Sequence, residues 1–472
     1  MKALLHPDKN PSTKKNSLDF TTLKKIKNLK LSQYIINVDI WDEINRCHKT
    51  MIFSTRTSQI RILDAQSWKD LQRGNYARLP PKIIQKLKEN EFLINSEEDE
   101  VSTVINENKQ AIEKSTHLYT VIQPTAFCPL GCGYCGQLHS PRGLSPENQK
   151  NLLLYLRKKL SQKEHKSMSI SWFGGEPLSG IAVIDKLSPQ IQEIAREYSL
   201  DYSASIVTNG LLLRKDIAQR LMSEYAIKHI EITLDGTEKY HDQRRHLKTG
   251  GPTFEKIYTN LLNLTHMAPE DVKITIRCNV DDRNQEGISP LLRQIAQDRL
   301  HKKVHVYFAQ IHSWGNDAHK LAADKTDFAQ WEIDWFIEML ELGYTFNYLP
   351  RRKKTLCIAV DPSSDLIDPF GNIFSCTEVS LVPSYEKNGE NIYKLGHLSD
   401  EQLTHPEKRQ ILGNFYEEKE LKKYPCYKCS MLPVCGGACP KAWKEDKPPC
   451  PSAKYNIQQR MLLHLANTYR SS

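Results

Sequence analysis

Cys128, Cys132 and Cys135 stand in the run Cys128-Pro-Leu-Gly-Cys132-Gly-Tyr-Cys135, a C-x3-C-x2-C spacing. Three thiolates so placed can hold three irons of a [4Fe–4S] cluster, whereas clusters that only carry electrons are closed by a fourth cysteine. The fourth iron is then open to a ligand that is not protein, and an open iron can bind and react. A zinc site short of its fourth ligand is the competing reading, because structural zinc sites are closed tetrahedra. Gly131 and Gly133 let the loop wrap closely, and Tyr134 sets a ring directly before the last thiol.

Seven more cysteines fall in the last quarter: Cys357, Cys376, Cys426, Cys429, Cys435, Cys439 and Cys450. Their tight intervals, C-x2-C and C-x3-C among them, suit thiolates that share a metal centre rather than a disulfide framework. C-x2-C with two further cysteines is also a zinc signature. Cys47 and Cys278 are left over and are expected to be small buried hydrophobes.

Other polar signals are individually weak. In Gly174-Gly175-Glu176-Pro177 two glycines let the backbone approach a ligand, and Glu176 can accept hydrogen bonds from an ammonium. The same four residues also make an ordinary strand-to-helix turn. Thr208-Asn209-Gly210 could hold a ribose or carboxylate. Leu234-Asp235-Gly236 follows, then His241-Asp242, Arg245 and Gly251 to Phe254.

The elements between these signals give them a common place. Strands are expected at 117–125, 168–174, 204–208, 227–234, 272–280 and 304–310, with helices near 145–163, 183–198, 214–225, 253–266 and 287–299. Six β-α repeats imply a parallel sheet curled into a full or partial barrel. Each signal follows a strand, so all face one mouth, the carboxyl end where barrel chemistry collects. Before the barrel, residues 34–100 read as a small α/β unit: strands at 34–40, 49–55 and 92–95, a hairpin partner at 59–63, and helices at 65–72 and 81–90. The acidic run from Glu97 to Glu100 opens a linker, 101–116. A helix at 326–343 carries core aromatics, and beyond 349 cysteine, proline and glycine replace periodicity.

Length and charge exclude little more. The 472 residues are enough for several domains, and no apolar run nears the ~18 residues of a membrane span. Residues 1–30 are a basic tail without the apolar stretch of a secretory signal, which places the protein in the cytoplasm. The net charge of +9 sits partly in that tail, and no basic and aromatic residues interleave as in a nucleic-acid binder.

The cysteine triad with its preceding aromatic, together with Gly174 to Pro177, resembles the motifs of the radical S-adenosylmethionine (SAM) enzymes, over about 117–310. The resemblance implies a partial (β/α)6 TIM-like barrel in which SAM chelates the open iron through its methionyl amine and carboxylate. One electron then cleaves SAM to a 5′-deoxyadenosyl radical that removes hydrogen from substrate. Cys128, Cys132 and Cys135 become cluster ligands; Tyr134 flanks adenine; Gly174, Gly175 and Glu176 line the methionyl amine; Asn209 and Asp235 are further cofactor-side residues. The later cysteines, over 349–455, resemble a SPASM domain with two auxiliary [4Fe–4S] clusters, and 456–472 is a closing helix. Cys357, Cys376 and Cys439 would serve the first cluster, and Cys426, Cys429, Cys435 and Cys450 the second. The ten-residue gap before Cys450 is shorter than that family's. No eighth cysteine lies between Cys357 and Cys376, which leaves an iron open to Asp361, Asp365 or Asp368.

Enzymes of this type mostly modify peptides. The unit at 31–100 resembles the winged-helix leader-recognition domain of ribosomal-peptide maturases; a barrel-capping accessory is the other reading. The leading expectation is an oxidoreductase of antibiotic-type peptide biosynthesis that crosslinks side chains by a carbon–carbon or ether bond, of the cyclophane or darobactin type, bridged to the SPASM region by 311–348. Alternatives are a thioether-forming maturase, a sulfatase-maturating formylglycine enzyme, and a non-catalytic iron–sulfur or zinc adaptor. Against the sulfatase branch, Thr377 rather than Asp follows Cys376, and that branch commonly lacks a separate N-terminal domain. Expected partners are a precursor peptide and an electron donor such as flavodoxin or ferredoxin. For a general base, His241, Glu378 and Asp361 all remain open.

Overall fold

The computed structural model describes residues 28–401, 406–417 and 421–470. Strand β1 (Leu29–Leu31) precedes an antiparallel sheet of β2 (Ile35–Asp42), β3 (Cys47–Ser54) and β4 (Gln59–Asp64), in that order. Helix α1 (Ala65–Gln72) starts where the Asp64 side chain accepts from the Ser67 amide, and α2 (Pro81–Glu89) starts on proline. β5 (Leu93–Asn95) then pairs antiparallel with β1. Residues 29–31 are therefore strand rather than tail, because Leu29 and Leu31 pack on the core of this unit. The tail's residues 1–27 lie outside the described residues.

The expected linker is mostly helix. In α3 (Glu100–Glu113), Asp99 caps the start by accepting from the Ser102 amide. Val101, Val104, Ile105 and Ile112 form a helical stripe, buried in one cluster with Leu356, Phe415, Leu421 and Trp443 of the C-terminal region. The acids at 97–100 read as loop, yet negative charge is favoured at a helix start by the aligned peptide dipoles.

The central sheet follows. Strands β6 (His117–Ile122), β7 (Ser167–Trp172), β8 (Asp201–Thr208), β9 (Ile227–Thr233), β10 (Lys273–Val280) and β11 (Val304–Gln310) run parallel in sequence order. Between them lie α4 (Pro146–Gln162), α5 (Ile181–Glu197), α6 (Lys215–Ser223), the short α7 (Glu238–Arg244), α8 (Phe254–Met267) and α9 (Ile288–Gln297). Trp172, Ile206, Ile230, Ile276 and Val306, all fully buried, are among the residues that join strands to helices. The aromatics of α10 (Lys325–Glu341) are core as expected, with Phe328, Trp335 and Phe336 buried. Cys278 is fully buried, but Cys47, at the start of β3, is only half-buried.

The sheet does not end at β6. β12 (Ser364–Ile367) adds to it in parallel, Ile367 beside Ile122, and β13 (Asn372–Phe374) continues antiparallel. After a small hairpin of β14 (Glu386–Lys387) and β15 (Glu390–Asn391), β16 (Lys394–His397) completes nine strands, open at β11. The C-terminal layer holds α11 (Pro406–Gly413), α12 (Leu432–Cys435), α13 (Pro440–Lys444) and α14 (Ala453–Arg470). Met51 and Phe53 of β3 are buried with Met431, Val434, Ile457 and Met461 of that layer. No helix among the described residues is long and apolar enough to cross a membrane.

Candidate active site

The carboxyl ends of the six parallel strands meet at one cavity of ≈ 400 Å³. Cys128, Cys132 and Cys135 line it, as do Tyr134, Gly174, Gly175 and Asn209. Both glycines have positive φ, +82° and +55°. A methyl group on Gly174 would run into the Gln123 side chain, and one on Gly175 would lie 2.7 Å from the Phe127 carbonyl. Only glycine lets this turn pass beneath the cysteine loop. Gln137 holds the two together, accepting from the Gly175 amide at 3.2 Å.

Glu176 and Asp235 do not line the cavity. Glu176 is fully buried and accepts from Thr208 Oγ1 at 2.6 Å, Asn209 N at 2.7 Å and Leu178 N at 3.0 Å. Its carboxylate is occupied by the chain and fastens the end of β7 to that of β8. Asp235, also fully buried, accepts from Tyr134 Oη at 2.7 Å and from Asn279 N at 2.9 Å. Tyr134 Oη in turn accepts from Arg245 at 2.5 Å and Asn279 Nδ2 at 3.1 Å. The two acids expected to touch a cofactor instead orient the residues that can: Asn209 and Tyr134.

Burial pushes the Cys128 thiol up to about 12 and Cys135 to about 11, and the neighbouring Arg245 opposes the rise. Metal-free, these thiols are protonated near neutrality, so loading a metal releases protons. Among the described residues no three Cys, His, Asp or Glu side chains converge on a point that one ion could fill. The thiols surround space instead, a donor arrangement that fits a group with volume of its own. Arg245 Nε and Gln137 Nε2 are buried without hydrogen-bond partners, and both residues line the cavity. Such donors fit a ligand rich in acceptor oxygens.

The C-terminal cysteines gather in two places. Cys426, Cys429, Cys435 and Cys450 line a second, small cavity of ≈ 20 Å³, so the short gap before Cys450 does not carry it away. Burial, then Glu378, Cys439 and Cys357, push the Cys376 thiol up, which puts those four groups in one neighbourhood. Asp361, Asp365 and Asp368 are engaged elsewhere. Asp361 accepts from Ser363 N and Ser364 Oγ, Asp365 binds Tyr155, Lys159 and Arg409, and Asp368 accepts from Phe370 N and Asn372 N.

Of the three candidate bases, the geometry retains one. His241 is fully buried, accepting from Asp235 N at 3.2 Å and paired through Nε2 with Thr253 Oγ1 at 3.2 Å. Burial and the neighbouring Arg245 push it down to about 3, so it stays neutral. Asp361 is held in its turn. Glu378 lines the cavity, 3.2 Å from His312 Nε2 and 3.9 Å from Lys441 Nζ. Burial raises it, but His312, Lys441 and Arg277 together hold it below the usual carboxylate range.

Sequence reasoning missed most of the inner wall. Glu231, Arg277 and Tyr307 face the cavity from neighbouring strands, Tyr307 Oη donating to Glu231 at 3.0 Å. Trp314, in the loop after β11, leans against Gly136 and donates from its indole to the Glu378 carbonyl at 2.7 Å. The signal was alternation: Ile-Glu-Ile-Thr in β9 and Ile-Arg-Cys-Asn in β10 put a polar residue on every second position. A parallel strand buried on both faces by apolar neighbours would read continuously apolar.

Residues 122–277 match the Radical SAM superfamily model. A serine-type anaerobic sulfatase-maturating enzyme of Bacteroides thetaiotaomicron is 23% identical over 366 residues, covering 69% of this chain and 83% of that protein. The radical SAM cyclopropyl synthase TigE of Paramaledivibacter caminithermalis is 26% identical over 157 residues, 29% of this chain and 33% of that protein. The structure of anSMEcpe with bound AdoMet and Cp18Cys peptide superposes with a TM-score of 0.52 at 17% identity, covering 75% of this chain and 99% of that one. Residues 122–277 thus carry a radical SAM domain, set in an α/β fold with a large parallel sheet, and the chain is similar to sulfatase and peptide maturases.

Proposed function

We propose that this enzyme is a cytoplasmic maturase that crosslinks side chains of a ribosomally made precursor peptide, by a carbon–carbon or ether bond. The observation that carries the reading is the shared cavity, which brings the cysteine triad, the tops of six strands and Glu378 onto one wall. Cys128, Cys132 and Cys135 would hold a [4Fe–4S] cluster; Gly174, Gly175, Asn209 and Tyr134 would face SAM, with Glu176 and Asp235 behind them. Bound there, the cluster and SAM supply a radical able to remove hydrogen from an unactivated position. Trp314 and Thr377, which line the cavity, would help limit water there. Glu378 takes the proton that substrate gives up, and exposed His312 passes it outward.

Cys357, Cys376 and Cys439 would hold one auxiliary cluster and Cys426, Cys429, Cys435 and Cys450 the other, supported by the cavity the last four share. A flavodoxin or ferredoxin would supply electrons. The N-terminal unit would seat the leader: β4 is an edge strand, and an extended peptide can add to such an edge.

One observation favours a second reading, formylglycine formation in a sulfatase. Glu378 stands two residues after Cys376, reaches the cavity, and the sulfatase-maturating relative aligns over most of its length. Anaerobic reconstitution followed by SAM and a reductant tests both. About twelve irons per chain and 5′-deoxyadenosine are expected; with neither, the adaptor reading returns. With a peptide encoded beside the gene, loss of two hydrogens without a hydrazide-reactive aldehyde is the crosslinking outcome. An aldehyde on a sulfatase peptide would replace it with the second reading.

A further inference from the structure

The segment after α7 clasps the cysteine loop. Leu130 and Leu247 form an antiparallel bridge, the Gly131 amide donates to the His246 carbonyl at 2.9 Å, and the Lys248 amide donates to the Pro129 carbonyl at 2.9 Å. Arg245 and Lys248 flank Leu247 of this bridge, one reaching Tyr134 and the other His139. Arg245 is 6% exposed, and its guanidinium donates to Tyr134 Oη. It lines the same cavity as all three thiols.

Lys248 acts through an intermediary. Its Nζ lies 3.0 Å from His139 Nδ1. An ammonium has donors and no acceptor, so Nδ1 must accept. The neutral ring then carries its proton on Nε2, which faces Cys135 Sγ at 4.0 Å. The exposed lysine thereby fixes a tautomer that presents an N–H to a cluster ligand. His139 also lines the cavity, so the N–H sits at the same wall as the thiols.

We propose that this clasp, through Arg245 and through the Lys248–His139–Cys135 chain, makes the triad's cluster easier to reduce. The inference rests on the reading that the triad holds a [4Fe–4S] cluster. Reduction adds one negative charge to the cluster and its thiolates. A buried cation and an N–H directed at sulfur favour the reduced state more than the oxidised one, and potentials of such clusters follow local charge and hydrogen bonds to sulfur.

The test is a potentiometric titration followed by electron paramagnetic resonance, the triad's signal being the one that SAM perturbs. Arg245→Gln, Lys248→Met and His139→Phe are each expected to lower its potential. Because Lys248 and His139 act through one N–H, their double variant should shift no further than His139→Phe alone. The Arg245→Gln shift should add to either. Arg245→Lys, which keeps the charge, should recover most of it and stands in if Arg245→Gln loads no iron. Unmoved potentials, or additive shifts of Lys248→Met and His139→Phe, overturn the inference while leaving the triad reading intact. A wild-type protein with iron but no SAM-responsive signal overturns both.

Discussion

At the residue scale, the part of the site that sequence reveals is the part whose chemistry is local. The triad and the two glycines are recognisable because thiol spacing and freedom at positive φ are properties of neighbouring residues. Gly175→Ala illustrates the constraint. An L side chain at φ +55° is strained, and its methyl would meet the Phe127 and Thr125 carbonyls at 2.7 and 2.9 Å. We expect the triad's cluster to be lost and iron to fall from about twelve to about eight per chain, read by iron and sulfide assay. Roles that depend on distant partners are invisible in the same way that pairing is: His139 and Lys248 are 109 positions apart. Glu176 shows the converse, since its type was legible but its commitment to Thr208 and Asn209 was not. Glu378→Gln should still allow 5′-deoxyadenosine to form while product falls about 10²–10⁴-fold, the range of a lost general base, as measured by chromatography of both.

At the element scale, strands and helices of the barrel were readable because each carries its own period, and most ends fall within about two residues of expectation. α3 and β12 are among those that were not. α3 hid behind acids that read as loop but suit a helix start, and β12 is only four residues, Ser-Asp-Leu-Ile, too short for any period. The turn after β9 shows how an element end is locked. His241 is neutral in the fold at about 3, against ~6.5 in the unfolded chain. Its contribution is complete above ~6.5 and lost as pH falls, because the unfolded chain binds a proton that the fold refuses. The slope is about 1.4 kcal/mol per pH unit below that point. His241→Gln should flatten the decline of the urea midpoint between pH 6.5 and 5, at some cost in stability at neutral pH.

At the scale of the whole molecule, the N-terminal unit is packed against the rest rather than tethered to it. Phe53, fully buried, shares a cluster with Met431, Val434 and Met461, and half-buried Cys429 and Cys435 pack on that cluster. Thr55 Oγ1 also donates to the Ser430 carbonyl at 2.6 Å. Phe53→Ala should cost about 3–5 kcal/mol. Because the same cluster braces two of the four cysteines, iron should be lost from the C-terminal group while the triad's SAM-responsive signal persists.

The strand β12 joins these scales. It is hydrogen-bonded along β6 on one side, with Ile367 beside Ile122, and along β13 on the other, so the strand that leads to Cys376 and the strand that leads to Cys128 are tied into one ladder through it. Sliding or swinging one relative to the other would break the pairing. If both cysteine groups hold clusters as proposed, the gap an electron would cross between them is set by this ladder, and its tunnelling rate would not wait on a hinge. Any timing of such electron flow would then have to come from the arrival of substrate.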